Sequence, residues 1–248
     1  MVCNILCCMN IYEETKMIMK KYGLNFKKKF GQNFLTDRNI LEKIVEVSAV
    51  DKNYGVIEIG PGFGVLTKFL LEKAGKVVSI EIDTRLKEVL DYTLSEYDNF
   101  EFVQSDALKI DFKKLIKEKF TQKKIVVVAN LPYYVTTPII TRLLESDLDL
   151  ESITIMVQKE VAQRLVADEN SKDNSSISLF VKYYADANIA FSVSRNVFVP
   201  APNVDSAVVN MRLKKERFEC EKTMFKLIKN GFENRRKTIL NSFCKSGI

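Results

Sequence analysis

Hydrophobic residues follow two alternating periods through the middle of the chain. Short apolar runs predict buried β-strands at 55–60, 76–83, 100–108, 124–130 and 152–158. Between these runs apolar residues recur at helical spacing, which predicts helices at 64–74, 84–97, 112–120, 138–146 and 159–168. Strands that alternate with helices form a parallel sheet covered on both faces. We therefore predict an α/β fold with a doubly wound, mostly parallel sheet.

The pattern changes towards both ends of this series. Residues 15–37 predict a basic amphipathic helix followed by a Gly-containing loop, and the next helix should be capped by Thr36 or Asp37. Residues 187–202 and 206–213 predict two strands joined by Pro-rich turns. We expect them to form an antiparallel hairpin on one edge, which completes a seven-stranded sheet.

From Arg212 onward the sequence is helical in pattern and basic. The predicted organisation is therefore a basic leader and helix at 1–35, an α/β domain at 36–211 and a short, truncated helical part at 212–248.

Charge is concentrated at the two ends of the chain. The whole chain has a formal net charge of +6, yet residues 211–248 alone carry 11 Lys and Arg against 4 Asp and Glu. Residues 1–38 carry 7 against 3, so the middle of the chain is net acidic. Basic ends on a near-neutral body favour a polyanionic partner such as nucleic acid.

The amino-acid composition also limits which catalytic groups and metal ligands the chain can provide. The chain contains no histidine, and its 5 cysteines form no C-x-x-C pair, so we predict no metal site. Catalysis must manage without the commonest general base. No apolar run approaches the ~18 residues of a membrane span, and the first residues do not resemble a signal peptide. We therefore expect a cytoplasmic protein with no membrane association.

Three consecutive predicted strands end in residues suited to an adenosine-containing ligand. Gly60, Gly62 and Gly64 follow the first strand but miss the dinucleotide fingerprint, which requires Gly at Val65. A plain strand–helix turn remains an alternative. The second strand ends at Glu81 and Asp83, where a carboxylate can bind both hydroxyls of a ribose.

Asp106 follows the third strand and is placed to accept from an adenine amine. Each acid alone is more often a solvated turn residue. Together with the glycine loop, however, they indicate a ligand with a ribose and an adenine and no pyrophosphate. S-adenosylmethionine fits this description.

The sequence Asn-Leu-Pro-Tyr follows the fourth strand. The side-chain oxygen of Asn130 and a main-chain carbonyl such as that of Leu131 can accept both hydrogens of an adenine amine. These contacts would shift the nitrogen towards a tetrahedral, nucleophilic form without a strong base. Tyr133 can stack on an unpaired base. Phe198, next to a Pro-x-Pro turn, is either a second aromatic wall or a core residue of the hairpin.

Seven segments spread between Met17 and Phe243 resemble the ribosomal RNA adenine dimethyltransferase family, the kasugamycin-sensitivity methyltransferases of the small ribosomal subunit. The segments are KKKFGQNFLTD, EIGPGFGVLT, IEID, QSDAL, NLPYYVTTPI, FVPAPNVDSAVV and FENRRKTILNSF. Each segment alone is unspecific, but the set in this order is highly specific.

The resemblance implies a Rossmann-like, S-adenosylmethionine-dependent methyltransferase domain followed by a helical domain. It implies dimethylation of two adjacent adenosines in the 3′-terminal hairpin of small-subunit (16S) RNA, on a pre-30S particle and with a role in subunit biogenesis. We expect a monomer. The positions that match the family's cofactor residues are Asn33, Leu35, Gly60, Glu81, Asp106 and Asn130. The positions that match its catalytic and base-contacting residues are Asn130, Tyr133 and Phe198.

In one respect the sequence departs from the family pattern. The family's helical domain usually continues for several tens of residues past the point where this chain stops, which puts docking on the ribosomal subunit in doubt. We expect the methyl-transfer site to be complete, because its residues precede Arg212.

Three other functions stay open at this stage. They are a methyltransferase that acts on large-subunit RNA, a non-catalytic RNA-binding assembly factor, and a DNA adenine methyltransferase. The asparagine, acids and tyrosine argue against the assembly factor, and Asn-Leu-Pro-Tyr favours small-subunit RNA over the other two substrates.

Overall fold

The computed structural model describes residues 10–24, 33–233 and 238. The strands are β1 (Phe34–Leu35), β2 (Tyr54–Ile59), β3 (Lys76–Glu81), β4 (Phe100–Gln104), β5 (Lys124–Asn130), β6 (Leu150–Gln158), β7 (Ala185–Val193), β8 (Phe198–Val199) and β9 (Ser206–Leu213). The α-helices are α1 (Ile11–Lys21), α2 (Arg38–Ser48), α3 (Val65–Lys73), α4 (Leu86–Thr93), α5 (Phe112–Lys119), α6 (Thr136–Glu145), α7 (Lys159–Leu165), α8 (Ser176–Tyr184) and α9 (Glu221–Glu233).

A seven-stranded sheet in the order β4-β3-β2-β5-β6-β9-β7 forms the centre of the molecule. Strands β2 to β6 are mutually parallel, and β9 runs antiparallel to both β6 and β7. The predicted doubly wound, mostly parallel sheet is confirmed. The strand order reverses between β2 and β5, and ligands bind at such a switch point, outside the carboxyl ends of the strands.

Two hydrophobic layers hold the helices against this sheet. One face carries Val56 and Val77 against Leu41 of α2 and Leu70 of α3. The opposite face is covered by α5, α6, α7 and α8, with Ile140 fully buried at its centre. Because parallel strands are buried on both faces, β5 is apolar at each buried position. Burial on both sides leaves the strand ends as the place where polar groups meet a ligand.

The predicted hairpin at the sheet edge is confirmed, and its two strands have different environments. In β9 the first four residues are buried, whereas β7 alternates between more and less exposed positions. A strand with one polar face is suited to an edge, so β7 is outermost and β9 lies inside it. Residues 198–199 leave the sheet and pair with β1 instead, Leu35 opposite Phe198.

Helix α2 begins at one of the two predicted capping residues. The Asp37 side chain accepts from the Ile40 amide, so Asp37 rather than Thr36 is the cap.

The C-terminal part of the described chain packs onto this domain as a helix. Strand β9 continues to Leu213, and α9 then docks on α8 through the Tyr183 hydroxyl, which donates to Glu221 at 3.0 Å. The sequence pattern did not predict helix α8, because the β-branched and aromatic residues in it do not favour a helix.

Several predictions fall outside the described residues. These concern the leader with Cys3, Cys7 and Cys8, residues 25–32 of the first basic segment, and the C-terminal residues Arg235, Arg236, Lys237 and Cys244. Within the described part, no helix is long and apolar enough to cross a membrane.

Candidate active site

A cavity of about 340 Å³ opens at the carboxyl edge of β2, β3, β4 and β5. It is where the parallel topology brings the predicted strand ends together. Seven of the eight predicted site residues line it, namely Asn33, Leu35, Gly60, Glu81, Asp106, Asn130 and Tyr133. Phe198 is the exception.

The glycine loop between β2 and α3 adopts a backbone conformation that other residues rarely take. Gly60, Gly62 and Gly64 have φ of 74°, 58° and 84°, all in the left-handed region. A Cβ atom at Gly62 would lie 2.9 Å from the Phe34 ring, whereas one at Gly60 would lie 3.8 Å from the Asn130 carbonyl oxygen. The loop therefore lets the backbone form one wall of the cavity at close range.

Glu81 ends β3 and presents a largely buried carboxylate to the cavity. Its Oε1 accepts from the amides of Ile82 and Asp83, each at 2.8 Å. No hydrogen bond to Oε2 is found among the described residues, so that oxygen is left to a ligand. Burial raises the pKa of Glu81, and the two amide donors oppose the rise. A carboxylate whose first oxygen is fixed by main-chain amides and whose second oxygen can still accept hydrogen bonds is suited to bind ribose hydroxyls.

The other two acids at the predicted strand ends, Asp106 and Asp83, have different partners. Asp106 lines the cavity, is only partly buried, and accepts from the Leu108 amide at 2.9 Å. Asp83 does not line the cavity. Its carboxylate binds the guanidinium of Arg85, with Oδ1 2.9 Å from Nε and Oδ2 2.5 Å from Nη2. Asp106 is thus the better candidate for ligand contact.

Asn130, the last residue of β5, has a defined side-chain orientation. Its Nδ2 donates to the main-chain carbonyl of Asn33 at 3.3 Å. This contact uses the amide nitrogen and leaves Oδ1 as an acceptor at the cavity wall. The following residue, Leu131, is buried and its amide donates to Met156 at 3.3 Å, which fixes the start of the loop. The Asn130 side chain is therefore held by Asn33, a residue that the family resemblance matches to the cofactor site.

Tyr133 lines the cavity within the loop that follows β5. The residue is partly buried, and its hydroxyl is joined to Ser206 Oγ by a hydrogen bond of 2.9 Å. Burial raises the pKa of Tyr133, the hydrogen bond with Ser206 opposes part of that rise, and the charge of Asp205 nearby adds to it. The phenol therefore stays neutral at physiological pH and presents an uncharged ring.

Phe198 is separated from the cavity by the pairing of β1 with β8. Its side chain is 3% exposed and belongs to the hydrophobic core together with Leu35 and Leu41. The sequence left open whether Phe198 is an aromatic wall of the site or a core residue, and the observed packing is that of a core residue. Phe198 lies in the core because it pairs with Leu35 and not with a strand of the hairpin.

Two ionisable residues of the cavity lining were not predicted. Glu58, inside β2, is fully buried and accepts on Oε2 from Thr67 at 2.7 Å and Ser79 at 2.6 Å. Burial is the main cause that raises its pKa from 4.5 to about 7. The signal in the sequence is an acid within an apolar strand. Tyr134 is 59% exposed and lies at the cavity close enough to Glu81 and Asp106 for their charges to raise its pKa, after the larger effect of burial.

The described residues contain no group of three or more His, Cys, Asp or Glu side chains arranged to hold a metal ion. Cys220, the cysteine within this part of the chain, is a free and exposed thiol.

Comparisons with known proteins match this geometry. The sequence profile of a family described as ribosomal RNA adenine dimethylase matches residues 23–247. The ribosomal RNA small subunit methyltransferase A of Streptococcus gordonii is 49% identical over 235 residues, which cover 93% of this chain and 81% of that protein.

Two solved structures are also similar over most of the chain. A dimethyladenosine transferase from Plasmodium falciparum is 31% identical, with a TM-score of 0.71, and the match covers 85% of this chain and 74% of that one. The 23S rRNA methyltransferase ErmE is 28% identical, also with a TM-score of 0.71, over 86% and 84% of the two chains.

Proposed function

The chain belongs to the ribosomal RNA adenine dimethylase family, and we propose that it dimethylates the exocyclic amines of adenosines in small-subunit ribosomal RNA. The observation that carries the proposal is that Asn130 lines the cavity with its Nδ2 bound to the Asn33 carbonyl, which leaves Oδ1 as the acceptor of that side chain. The small subunit is favoured because the curated relatives at 47–50% identity are named for it.

The cavity residues suit S-adenosylmethionine as the methyl donor. When bound, it supplies an electrophilic methyl group on a sulfonium sulfur. In this proposal Glu81 Oε2 binds the ribose hydroxyls and the Asp106 carboxylate accepts from the adenine amine. Gly60 lets the main chain approach the ligand, and Asn33 and Leu35 also line the cavity.

Asn130 makes the target nitrogen nucleophilic. An adenine amine is a poor nucleophile because its lone pair is delocalised into the ring. Oδ1 of Asn130 and the Leu131 carbonyl accept one hydrogen each, which favours a tetrahedral nitrogen with a localised lone pair. The nitrogen lone pair would then form a bond to the methyl carbon while the carbon–sulfur bond breaks, its electron pair would stay on sulfur in the departing S-adenosylhomocysteine, and the methylated nitrogen would lose one proton to solvent. No histidine or other strong base is needed, and two rounds give the dimethylated amine.

Tyr133 orients the target base. Its ring borders the cavity beside Asn130, and stacking of a base on an aromatic ring contributes roughly 1–3 kcal/mol. The base has to leave its stack to reach this site. Phe198 is buried beside Leu35, so we propose a base contact for it only in a substrate-bound conformation in which β1 and β8 move apart.

We extend the proposal to the substrate particle and the acting species. The modified bases are two adjacent adenosines in the 3′-terminal hairpin, the substrate is a pre-30S particle in the cytoplasm, and the enzyme acts as a monomer without a metal ion. The basic segments at both ends of the chain support an RNA particle as substrate, since Lys and Arg supply most of the affinity for a phosphate backbone.

Transfer of labelled methyl groups to small ribosomal subunits from a strain that lacks this modification tests the proposal. We expect label as dimethyladenosine in small-subunit RNA and none in intact large subunits. The likeness to ErmE makes large-subunit RNA the second candidate, and label only in naked large-subunit RNA would favour it. No label in either RNA from a protein that binds S-adenosylmethionine would contradict both.

A further inference from the structure

Tyr133 is tied to a distant strand by the far end of its side chain. The hydrogen bond of 2.9 Å to Ser206 Oγ joins residues that are 73 positions apart in sequence. Ser206 is the first residue of β9, and β6 separates β9 from β5 in the sheet. The contact therefore reaches from the loop after β5, across the end of β6, to a strand that the cavity itself does not include.

Ser206 is a firm support for this contact. It is fully buried and pairs with Gln158 of β6 on one side and Val193 of β7 on the other. The preceding Asp205 accepts from the Lys159 amide through its carbonyl and from the Arg195 amide through its carboxylate, each at 3.0 Å. The main chain of Ser206 is thus held by both neighbouring strands, and its hydroxyl meets the tyrosine from a fixed position in the sheet.

Tyr133 gains from a support because it lies in a short loop rather than in a strand or helix. Within that loop, the Val135 amide donates to the Pro132 carbonyl at 3.1 Å. The hydroxyl of a tyrosine lies on the axis of its ring, so a bond there fixes the direction of the side chain and with it the position of the ring. Stacking on a base requires only the ring face, which leaves the hydroxyl available for this structural contact.

We propose that Ser206 is a positioning residue for methyl transfer, which holds the Tyr133 ring beside Asn130 so that an incoming adenine is stacked at the reacting geometry. The inference rests on the proposed function. Ser206 does not line the cavity and acts only through Tyr133. Its removal should lower turnover without changing how tightly the cofactor or the RNA particle binds.

The test is a double-mutant cycle on methyl transfer to small subunits, with Ser206→Ala, Tyr133→Phe and the double variant. Each single change removes one neutral hydrogen bond and keeps the ring. We expect kcat to fall about three- to tenfold in both, with KM for the subunit and the Kd of S-adenosylmethionine within about twofold. The double variant should match the single ones, because both changes remove the same contact.

Ser48→Ala is the matched control. Its buried hydroxyl donates to the Val45 carbonyl at 2.7 Å on α2, away from the cavity, so kcat should stay at the wild-type value even if stability falls. Wild-type turnover in Ser206→Ala, or losses that multiply in the double variant, would overturn the role of Ser206 and leave the proposed function standing. A wild-type protein that transfers no methyl group to small-subunit RNA would overturn both.

Discussion

The two halves of the cavity rim use opposite chemistry. The half formed by β2, β3 and β4 carries carboxyl groups, from Glu58, Glu81 and Asp106. The half formed by the end of β5 and supported by β9 presents the Asn130 amide and the Tyr133 phenol, both uncharged. The difference fits the proposed function, in which the acids would meet the hydroxyls and amine of a positively charged cofactor and the neutral half would meet a neutral base.

In the proposed function the neutral half accepts hydrogen bonds from the target amine without carrying a charge. The Asn130 amide oxygen accepts while the side chain stays uncharged, and the raised pKa of Tyr133 keeps its phenol neutral. The two carboxyl groups whose pKa is raised by burial, those of Glu58 and Glu81, both lie in the cofactor half. Substitutions in the two halves should therefore have different effects on binding, catalysis and pH dependence.

Asn130→Ala should have the largest effect. We expect methyl transfer to fall by at least about 10³-fold, because a preorganised acceptor at the reacting nitrogen is lost. The affinity for S-adenosylmethionine should stay within about tenfold, measured by calorimetry. Asn99→Ala removes an amide that donates to Leu71 and Ala74 away from the cavity, and turnover should be unchanged. Preserved turnover in Asn130→Ala would sink the role assigned to it.

Glu58→Gln should alter how stability depends on pH. The pKa of Glu58 is raised from 4.5 to about 7 in the folded protein, so the folded state holds the proton more tightly than the unfolded chain. Between about pH 4.5 and pH 7 the wild type therefore loses about 3 kcal/mol as pH rises.

The variant has no such group, so its stability relative to the wild type should increase by that amount from pH 4.5 to pH 8 in chemical unfolding experiments. Glu88→Gln, which changes an exposed side chain, should keep the wild-type pH profile. A stability difference between Glu58→Gln and wild type that does not vary with pH would show that burial of the carboxyl has no such effect.

Glu81→Gln should weaken cofactor binding and leave chemistry largely intact. We expect the Kd of S-adenosylmethionine to rise about ten- to thirtyfold, the cost of a lost charge-assisted hydrogen bond. At saturating cofactor kcat should stay within about threefold, in contrast to Asn130→Ala. Asp83→Asn is the control, because its carboxylate pairs with Arg85 and lies outside the cavity lining. Equal losses in the two variants would argue against a direct ligand contact by Glu81.

Gly62→Ala and Gly23→Ala separate backbone strain from close approach. The two glycines have nearly the same φ, 58° and 59°, but a Cβ at Gly23 meets nothing within 4 Å. We expect Gly23→Ala to cost about 1 kcal/mol from the left-handed backbone alone. Gly62→Ala should cost about 1 kcal/mol more, since Phe34 must move, and should also weaken cofactor binding. Equal unfolding free energies would mean that the Phe34 ring adjusts freely.

Much of the site could be predicted because the carboxyl ends of parallel strands lie at the same edge of the sheet. Once 55–60, 76–83, 100–108 and 124–130 are read as parallel strands, their carboxyl ends must meet at one edge. Gly60, Glu81, Asp106 and Asn130 then converge whatever the details of packing. The sequence by itself thus determined the fold class, the edge of the sheet where the cavity opens and five of the residues there, these four and Tyr133. Asn33 and Leu35 came only from the family resemblance.

The tertiary structure decided what depends on pairings between distant segments. Phe198 is in the core because β8 pairs with β1, and Ser206 supports Tyr133 because β9 inserts beside β6. The pKa of Glu58 is raised because the folded chain buries its carboxyl group, and the hydrogen bonds from Ser79 and Thr67 oppose that rise only in part. Local periodicity reports which face of a strand is buried, but not which remote strand covers it. That choice is made by the packing of the whole chain, and so only the folded structure could show it.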